Sequence, residues 1–236
     1  MKPTAITYGE NSVLLSWPNR IEEPIHQQVL LYERSIRKQF KASVLETIIG
    51  YQSLMICLKD NMLSKDFLNV LDTLILDHEN ANSTNYVYSI PVCYDTSLGI
   101  DLQNLATQKE ISIAELIQLH TQTIYRIYCI GFLPGFLYLG GLNEVLDTPR
   151  LENPRQKVPK GAVAIGGKQA GIYPMESPGG WHIIGQTPIE LFDSSTDPPI
   201  LFKAGDRIQF LNISIERFEA IRLDPSYVIE REVYYG

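Results

Sequence analysis

The stretch VLETIIGYQSLMICL (44–58) decides how the first half of the chain is read. Residues 44–49 and 53–58 are two runs rich in β-branched and long apolar side chains. A short turn containing Gly50 separates them, which predicts a β-hairpin. On its N-terminal side, Ile25, Val29, Tyr32, Ile36 and Phe40 recur at spacings of three and four, one face of a helix. Pro24 suits the first turn of that helix, where its missing N–H would have had no partner. On the C-terminal side, Phe67, Leu68, Leu71, Leu74 and Ile75 form a second helical stripe, with Ser64 as the predicted N-cap. Strands at 12–17 and 86–92 complete the series. The order βαββαβ is the split ferredoxin-like arrangement, and it predicts a first domain over residues 1–92. The polar stretch HENANSTN (78–85) reads as the loop before the last strand.

The texture changes after residue 95, and residues 93–236 are predicted as a second domain. Helices are expected at 101–108 and 112–120, the latter opened by a capping box of Ser112 and Glu115. A strand follows at 124–130. Gly and Pro then become dense, with short apolar runs at 162–165, 183–184, 189–192, 208–210 and 228–233. Short strands punctuated in this way predict a β-barrel or sandwich, so the whole chain is expected to be α+β.

Composition narrows the function. Of 236 residues, 44% are apolar and 20% charged, an ordinary globular balance. The formal charge of −7 and the lack of a Lys/Arg run argue against nucleic acid as a partner. No window approaches the roughly 20 apolar residues of a membrane span, and the N-terminus lacks the apolar core of a signal peptide. A cytoplasmic protein with no membrane partner is expected. Cys57, Cys93 and Cys129 are widely spaced, which argues against a disulfide framework and a zinc site. The sequons at Asn82 and Asn212 mean little without a secretory route.

The residues that offer chemistry lie between His120 and Trp181. Alternating Gly and Pro make rigid loops whose N–H groups can hold an anion or oxyanion; tight β-turns of a small barrel account for the same composition. Arg150, Arg155 and Lys157 fall within eight residues of an acidic chain, as a carboxylate or phosphate clamp or as a solvated basic edge. His120 follows Leu116 and Ile117 on an apolar face and reads either as a satisfied core histidine or as a proton-transfer group. Tyr173, Ser177 and Trp181 offer two hydroxyls and a stacking face, and His182 sits beside them. Ser177 lies outside any G-x-S-x-G elbow. GAVAIGG (161–167) lacks the Lys-Ser/Thr ending of a phosphate loop, and no paired histidines suggest a metal.

Taken together, IPVCYD (90–95), GIDL (99–102), LH (119–120), YRIYCIGFLPGFLYLGGL (125–142), TPR (148–150), PRQKVPKGAVAIGG (154–167), QAGIYPMESPGGW (169–181) and IGQTP (184–188) resemble the allophanate-hydrolase-subunit-1 family. That family includes 5-oxoprolinase B subunits, kinase-A inhibitors of spore-forming bacteria and the matching region of urea carboxylase. The resemblance implies an N-terminal ferredoxin-like domain and a C-terminal cyclophilin-like β-barrel. It implies one subunit of a heteromeric hydrolase that opens the lactam of 5-oxo-L-proline to L-glutamate with ATP, or acts on a related amide such as allophanate. Its partners would be the 5-oxoprolinase C subunit, resembling allophanate hydrolase subunit 2, and the A subunit, with ATP bound by the complex. The inhibitor branch implies instead a protein that binds a sensor histidine kinase.

On the enzyme reading, His120, Arg155 and Tyr173 are the catalytic candidates. Arg150, Lys157, Gln169, Ser177 and Trp181 are the candidates for substrate or anion contact. Arg150, Arg155, Gln169, Tyr173 and Trp181 are expected on one concave surface, with His120 at or near it, and Arg155→Ala is expected to cost far more activity than stability. The chain shows neither a nucleotide-binding motif nor a nucleophile–base pair, so a composite site is expected. Its partner surface would lie along 131–141 and 174–181, with Phe132, Phe136 and Leu139 as anchors.

Overall fold

In the computed structural model, which describes residues 1–78 and 84–235, the chain divides into two units, Met1–Ser83 and Thr84–Gly236. The first unit runs β1 (Thr4–Thr7), β2 (Ser12–Ser16), α1 (Glu23–Gln39), β3 (Val44–Ile49), β4 (Ser53–Leu58) and α2 (Ser64–Leu71). Its four strands form an antiparallel sheet in the order β1-β2-β4-β3. The β3–β4 hairpin lies where the sequence places it. Alternation along β2 and β4 buries Val13, Leu15, Leu54, Ile56 and Leu58 on one face. That face packs on Ile25, Val29 and Ile36 of α1 and Phe67 of α2.

The predicted βαββαβ order is corrected at its ends. Its last strand is absent from this sheet. The edge position beside β2, which that strand would fill, is taken by β1, so the order is ββαββα. All four β1 residues are exposed, so it carries no apolar alternation to betray it. Ser64 does not cap α2. Leu63 stands at the N-cap, and the Ser64 hydroxyl donates to the Gly9 carbonyl at 2.9 Å. Residues 79–83 of the expected loop, with the Asn82 sequon, lie outside the described residues.

The second unit begins with β5 (Asn85–Val92), which corrects the domain boundary from after residue 92 to before this strand. β5 pairs in parallel with β13 (Arg207–Asn212) and antiparallel with β14 (Arg231–Tyr234), and it contributes Tyr88, Ile90 and Val92 to the core there. Between β5 and these partners come α3 (Leu102–Gln108), α4 (Ile113–Thr121), β6 (Ile124–Ile130), β7 (Leu137–Gly140), β8 (Arg155–Val158), β9 (Ala162–Gly166), β10 (Gln169–Ile172), β11 (Ser177–Gly179) and β12 (His182–Gln186). α5 (Ile215–Arg222) separates β13 from β14. Ser112 caps α4 as predicted, accepting from the Glu115 N–H.

The main sheet runs β12-β9-β10-β7-β6-β13-β5-β14. It closes on itself just past β5, where Cys93 and Gln186 of β12 exchange two backbone hydrogen bonds of 2.9 and 3.0 Å. Closure removes an open edge and gathers Ile127, Leu139, Ile165, Ile172, Ile184 and Phe210 into one core. The run at 189–192 is not a strand, yet Ile189 and Leu191 are buried. Their apolarity marks a covering loop rather than a ladder. Among the described residues no helix is long and apolar enough to cross a membrane.

The face assignment of the first unit is testable. Leu15 is fully buried, whereas Ile6 pairs with Leu14 on the opposite face and is half exposed. Leu15→Ala should cost about 2–5 kcal/mol in chemical denaturation, and Ile6→Thr should stay within about 0.5 kcal/mol of the parent.

Candidate functional site

The β9–β10 hairpin has two differently used faces. Val163, Ile165, Ala170 and Ile172 enter the closed core. The intervening residues, with Gly166 opposite Gln169 in the pairing, face the other way. Trp181, in the link between β11 and β12, lies on this outer face. A Cβ at Gly166 would stand 2.6 Å from the indole Cδ2, and one at Gly171 2.8 Å from its Cζ3. These two positions must be glycine for the ring to lie flat on the sheet. Phe136 meets the indole edge-on at 5.7 Å and Tyr173 at 5.0 Å, and Tyr138 lies 6.0 Å from Trp181.

The loop bearing Arg150 is fastened on both sides. Thr148 and Gly167 form a two-way backbone bridge. The His182 Nε2–H donates to the Pro149 carbonyl at 2.9 Å. The Leu151 N–H donates to the Gly180 carbonyl at 2.7 Å. Arg150 itself is exposed, with its guanidinium carbon 5.5 Å from the Trp181 ring centroid. No ion pair joins it to a carboxylate among the described residues.

Arg155 is placed differently. It sits opposite Gly179 in the β8–β11 pair. Its Nη2 lies 2.5 Å from Asp101 Oδ1, and its Nη1 donates to the Trp181 carbonyl at 3.4 Å. Asp101, with a side chain only 9% exposed, uses Oδ2 to accept the Ile183 N–H at 2.7 Å. This close approach depends on Gly99, whose Cβ would stand 2.3 Å from the Ile184 carbonyl. Asp101 neutralises Arg155 and turns it into a strut under Trp181. Arg155→Ala is therefore expected to cost stability as well as activity, because removing it strands a largely buried carboxylate.

The other predicted residues separate into groups. Gln169 shares the Trp181 face by register. Lys157 is exposed and pairs with Glu176 at 3.1 Å, a surface contact of little consequence. Ser177 is buried and donates to the Pro178 carbonyl at 3.2 Å. Tyr173 is 2% exposed and hydrogen-bonded to the Trp181 backbone, and burial pushes its phenol pKa up. Tyr173 and Ser177 thus pack as buried supports of the Trp181 segment.

His120 is corrected as well. It is fully buried among Tyr94, Tyr125 and Phe210, a cluster distinct from the one around Trp181. Its Nδ1 lies 2.7 Å from the Tyr94 hydroxyl, its ring stacks on Phe210 at 4.6 Å, and its Nε2 has no partner. Burial lowers its pKa to about 3, so the imidazole is neutral and sealed. The buried thiols are no better placed as nucleophiles, since burial pushes Cys93 up and Cys129 to about 12. Sequence reasoning missed Asp101. The signal available was a carboxylate in GIDL, immediately before an apolar helix.

An exposed arginine fixed above a tryptophan, beside an internally neutralised second arginine, is the arrangement to place among known proteins. The carboxyltransferase domain, subdomain C and D, matches residues 3–202. The chain belongs to this carboxyltransferase-domain family. The 5-oxoprolinase B subunit of Haemophilus influenzae is 36% identical over 89% of this chain and 98% of that protein. That of Bacillus subtilis is 42% identical over 58% of this chain and 57% of that protein, so this match spans little more than half of each. Among solved structures, TTHA0988 superposes with a TM-score of 0.76 at 30% identity, covering 87% of this chain and 40% of that one. In this carboxyltransferase-family chain, the matched region takes in every residue of the Trp181 cluster.

Two outcomes are expected. The unfolded chain protonates His120 below its ordinary pKa of 6.5, while the folded chain does so near 3. The unfolded state therefore binds more protons in that window, and this group's share of stability is complete above 6.5 and lost as pH falls toward 3. Urea denaturation across that range should show a shallower pH dependence in His120→Gln. Separately, Asp101→Ala should cost about 1–3 kcal/mol, because it orphans the Ile183 N–H as well as Arg155; a loss below about 0.5 kcal/mol would contradict the strut.

Proposed function

We propose that the chain is the B subunit of a heteromeric, ATP-dependent, cytoplasmic 5-oxoprolinase that opens 5-oxo-L-proline to L-glutamate. The observation that carries this reading is the 36% identity to a 5-oxoprolinase B subunit over nearly its full length. The Arg150 site gives that likeness a chemical sense.

A lactam carbonyl is a poor electrophile. Transfer of a phosphoryl group from ATP to its oxygen makes the ring carbon attackable and releases ADP. Water then adds, the ring C–N bond breaks to leave an acyl phosphate and the free amine, and a second water releases phosphate. Each species is anionic, and the substrate carries a carboxylate throughout. Arg150 is suited to hold such a group bidentately, because its loop is fastened before the ligand arrives. The buried Trp181 ring seats the Arg150 guanidinium, and Gln169 offers a half-buried amide on the same face. Arg155 acts as a positioning residue that keeps the Trp181 carbonyl in place.

ATP enters as a co-substrate bound elsewhere in the complex. The glycines of 161–167 lie in and just after β9, where Gly166 seats Trp181 instead of cradling phosphate. The companion subunits supply the nucleotide site and the proton-transfer groups. The same reading carries the finer fold expectation of a cyclophilin-like barrel for the second unit, supported by the closure at Cys93–Gln186. For the first unit it carries a ferredoxin-like sheet with its edge strand drawn from the N-terminus.

The test is 5-oxoproline-dependent ATP hydrolysis by the single chain and by the complex reconstituted with the A and C subunits. The chain alone should be silent and the complex active. Arg150→Ala should lower kcat/KM of the complex by about tenfold or more, with a loss of folding stability no larger than about 0.5–1 kcal/mol, the worth of its contact with Trp181. Turnover by the chain alone would defeat the composite site, and turnover of allophanate in place of 5-oxoproline would reassign the substrate. No turnover by any mixture, with tight binding to a sensor histidine kinase, would replace the proposal by the inhibitor reading.

A further inference from the structure

Of the three apolar anchors expected from the sequence, Phe136 and Leu139 are core. What the Trp181 face directs outward is charge. Two guanidinium groups are carried on this residue. The Arg150 carbon stands 5.5 Å from the indole centroid, and Arg155 Nη1 donates to the Trp181 carbonyl at 3.4 Å. The Tyr173 phenol lies within electrostatic reach of both. Left free, two such cations would suit a dianion. The remaining charged residues of these loops are exposed and of both signs: Lys157 paired with Glu176, and Glu152 and Lys168.

Asp101 breaks the equivalence, and its placement is unusual for where it stands. It is the N-cap of α3, a position at which a carboxylate ordinarily accepts from the N–H groups of its own helix. Asp101 makes no such bond. Both of its oxygens are turned away from the helix, Oδ2 to the Ile183 N–H at 2.7 Å and Oδ1 to Arg155 at 2.5 Å. Its own N–H donates to the Ile183 carbonyl at 2.9 Å, so the residue is fixed to β12 from both sides. The carboxylate is thus aimed at Arg155 at the expense of the cap. The Arg155 side chain remains 27% exposed, so its charge, left uncompensated, would be felt at the surface.

We infer that Asp101 sets the charge selectivity of the Arg150 site: by cancelling Arg155 it leaves one guanidinium to a ligand, and the site takes a single carboxylate in preference to a dianion. The inference rests on the functional reading above and names the class of group bound at that site. A lactam acid carries one carboxylate, and opening its ring creates a second. One free cation grips the carboxylate that substrate and product share, without adding affinity for the new one, which favours release of the opened product. Two free arginines would hold the product more tightly than the substrate. Selectivity here comes from withholding a charge, since specificity is a difference of affinities.

The experiment titrates the chain with glutarate and with its monoamide, which differ by one charge, reading both affinities by NMR shifts at low salt with thermal melting in parallel. A loss of fit weakens both probes alike, so their affinity ratio reports charge. Asp101→Asn keeps an oxygen for the Ile183 N–H and turns an amide N–H toward Arg155, which releases the guanidinium. It should move the ratio toward glutarate by about threefold or more. Adding Arg155→Gln to Asp101→Asn returns the site to one free cation, and the ratio should return to within about twofold of the parent. Arg150→Ala, an exposed position outside the strut, should weaken both probes by about tenfold or more, because Arg155 is not available to replace it. An unmoved ratio in Asp101→Asn would overturn the inference and leave Asp101 a folding residue. Glutarate binding retained in Arg150→Ala would show Arg155 free in the parent and overturn it too, and this arm decides if Asp101→Asn fails to fold. A parent chain that binds neither probe would overturn the inference together with the anion site. Turnover of 5-oxoproline by the reconstituted complex separates the two readings: an active complex with an unmoved ratio defeats the inference alone, and a silent complex with a shifted ratio defeats the functional reading alone.

Discussion

The outer face of the β9–β10 hairpin depends on one contact, the Trp181 indole lying on the bare backbone of Gly166 and Gly171. A side chain at either position would occupy space the ring already fills. Because the ring lies flat, Phe136 and Tyr138 can meet it edge-on, the arrangement aromatic quadrupoles prefer. Because it is nearly buried, its own backbone is held from three sides: Arg155 grips its carbonyl, the Tyr173 hydroxyl bonds its backbone, and Asp101 receives the Ile183 N–H just beyond. The Pro-rich loop of Arg150 is laced to the same segment through Pro149–His182 and Leu151–Gly180. Loops that composition alone marks as irregular thus behave as one rigid block.

That block sorts two arginines that the sequence leaves equivalent. Asp101 neutralises Arg155 at 2.5 Å, so its charge is directed inward. Arg150, on the same support, keeps its charge for solvent or ligand. Its position above an aromatic ring orients the guanidinium at small entropic cost, with a cation–π contribution of about 0.5–1 kcal/mol at such a site. In a chain of net charge −7, a distant anion meets repulsion overall, so recognition at Arg150 must act at short range and through shape. Short-range recognition of this kind suits a small anion better than a long polyanion.

Much of this architecture is legible in the sequence, for a definite reason. The hairpin at 44–58, the helices around it, the capping box at Ser112 and the strand at 124–130 are written in local periodicity, and local periodicity survives in the fold. What the sequence conceals depends on partners distant along the chain. β1 is exposed on every residue, so no pattern marks it. β5 reads as the last strand of one unit and is the first of the other, because strand pairing is a tertiary choice. His120 illustrates the same limit in the site. Its helical face is plain from the spacing, but only the fold shows that the face abuts Tyr94 and Phe210. The motif positions do cluster where loops converge, around Trp181. The roles within the cluster, strut for Arg155 and support for Tyr173, rest on Asp101, whose partner lies 54 residues away.

The burial pattern bears on the proposal that the chain acts with companion subunits. Opening an amide needs a group that moves a proton and another that activates water, and both must reach solvent or substrate. Four side chains of the motif region that could serve are sealed: His120 as a neutral core ring, Tyr173 with a raised phenol pKa, Ser177 turned to its own neighbour's carbonyl, and Cys129 as a buried thiol, while the half-buried His182 has its Nε2 committed to the Pro149 carbonyl. What the surface presents beside them is the Arg150 cation and the half-buried Gln169 amide, groups that bind and orient. A candidate anion site so built, with those side chains turned inward, is what the proposed dependence on partner subunits would require.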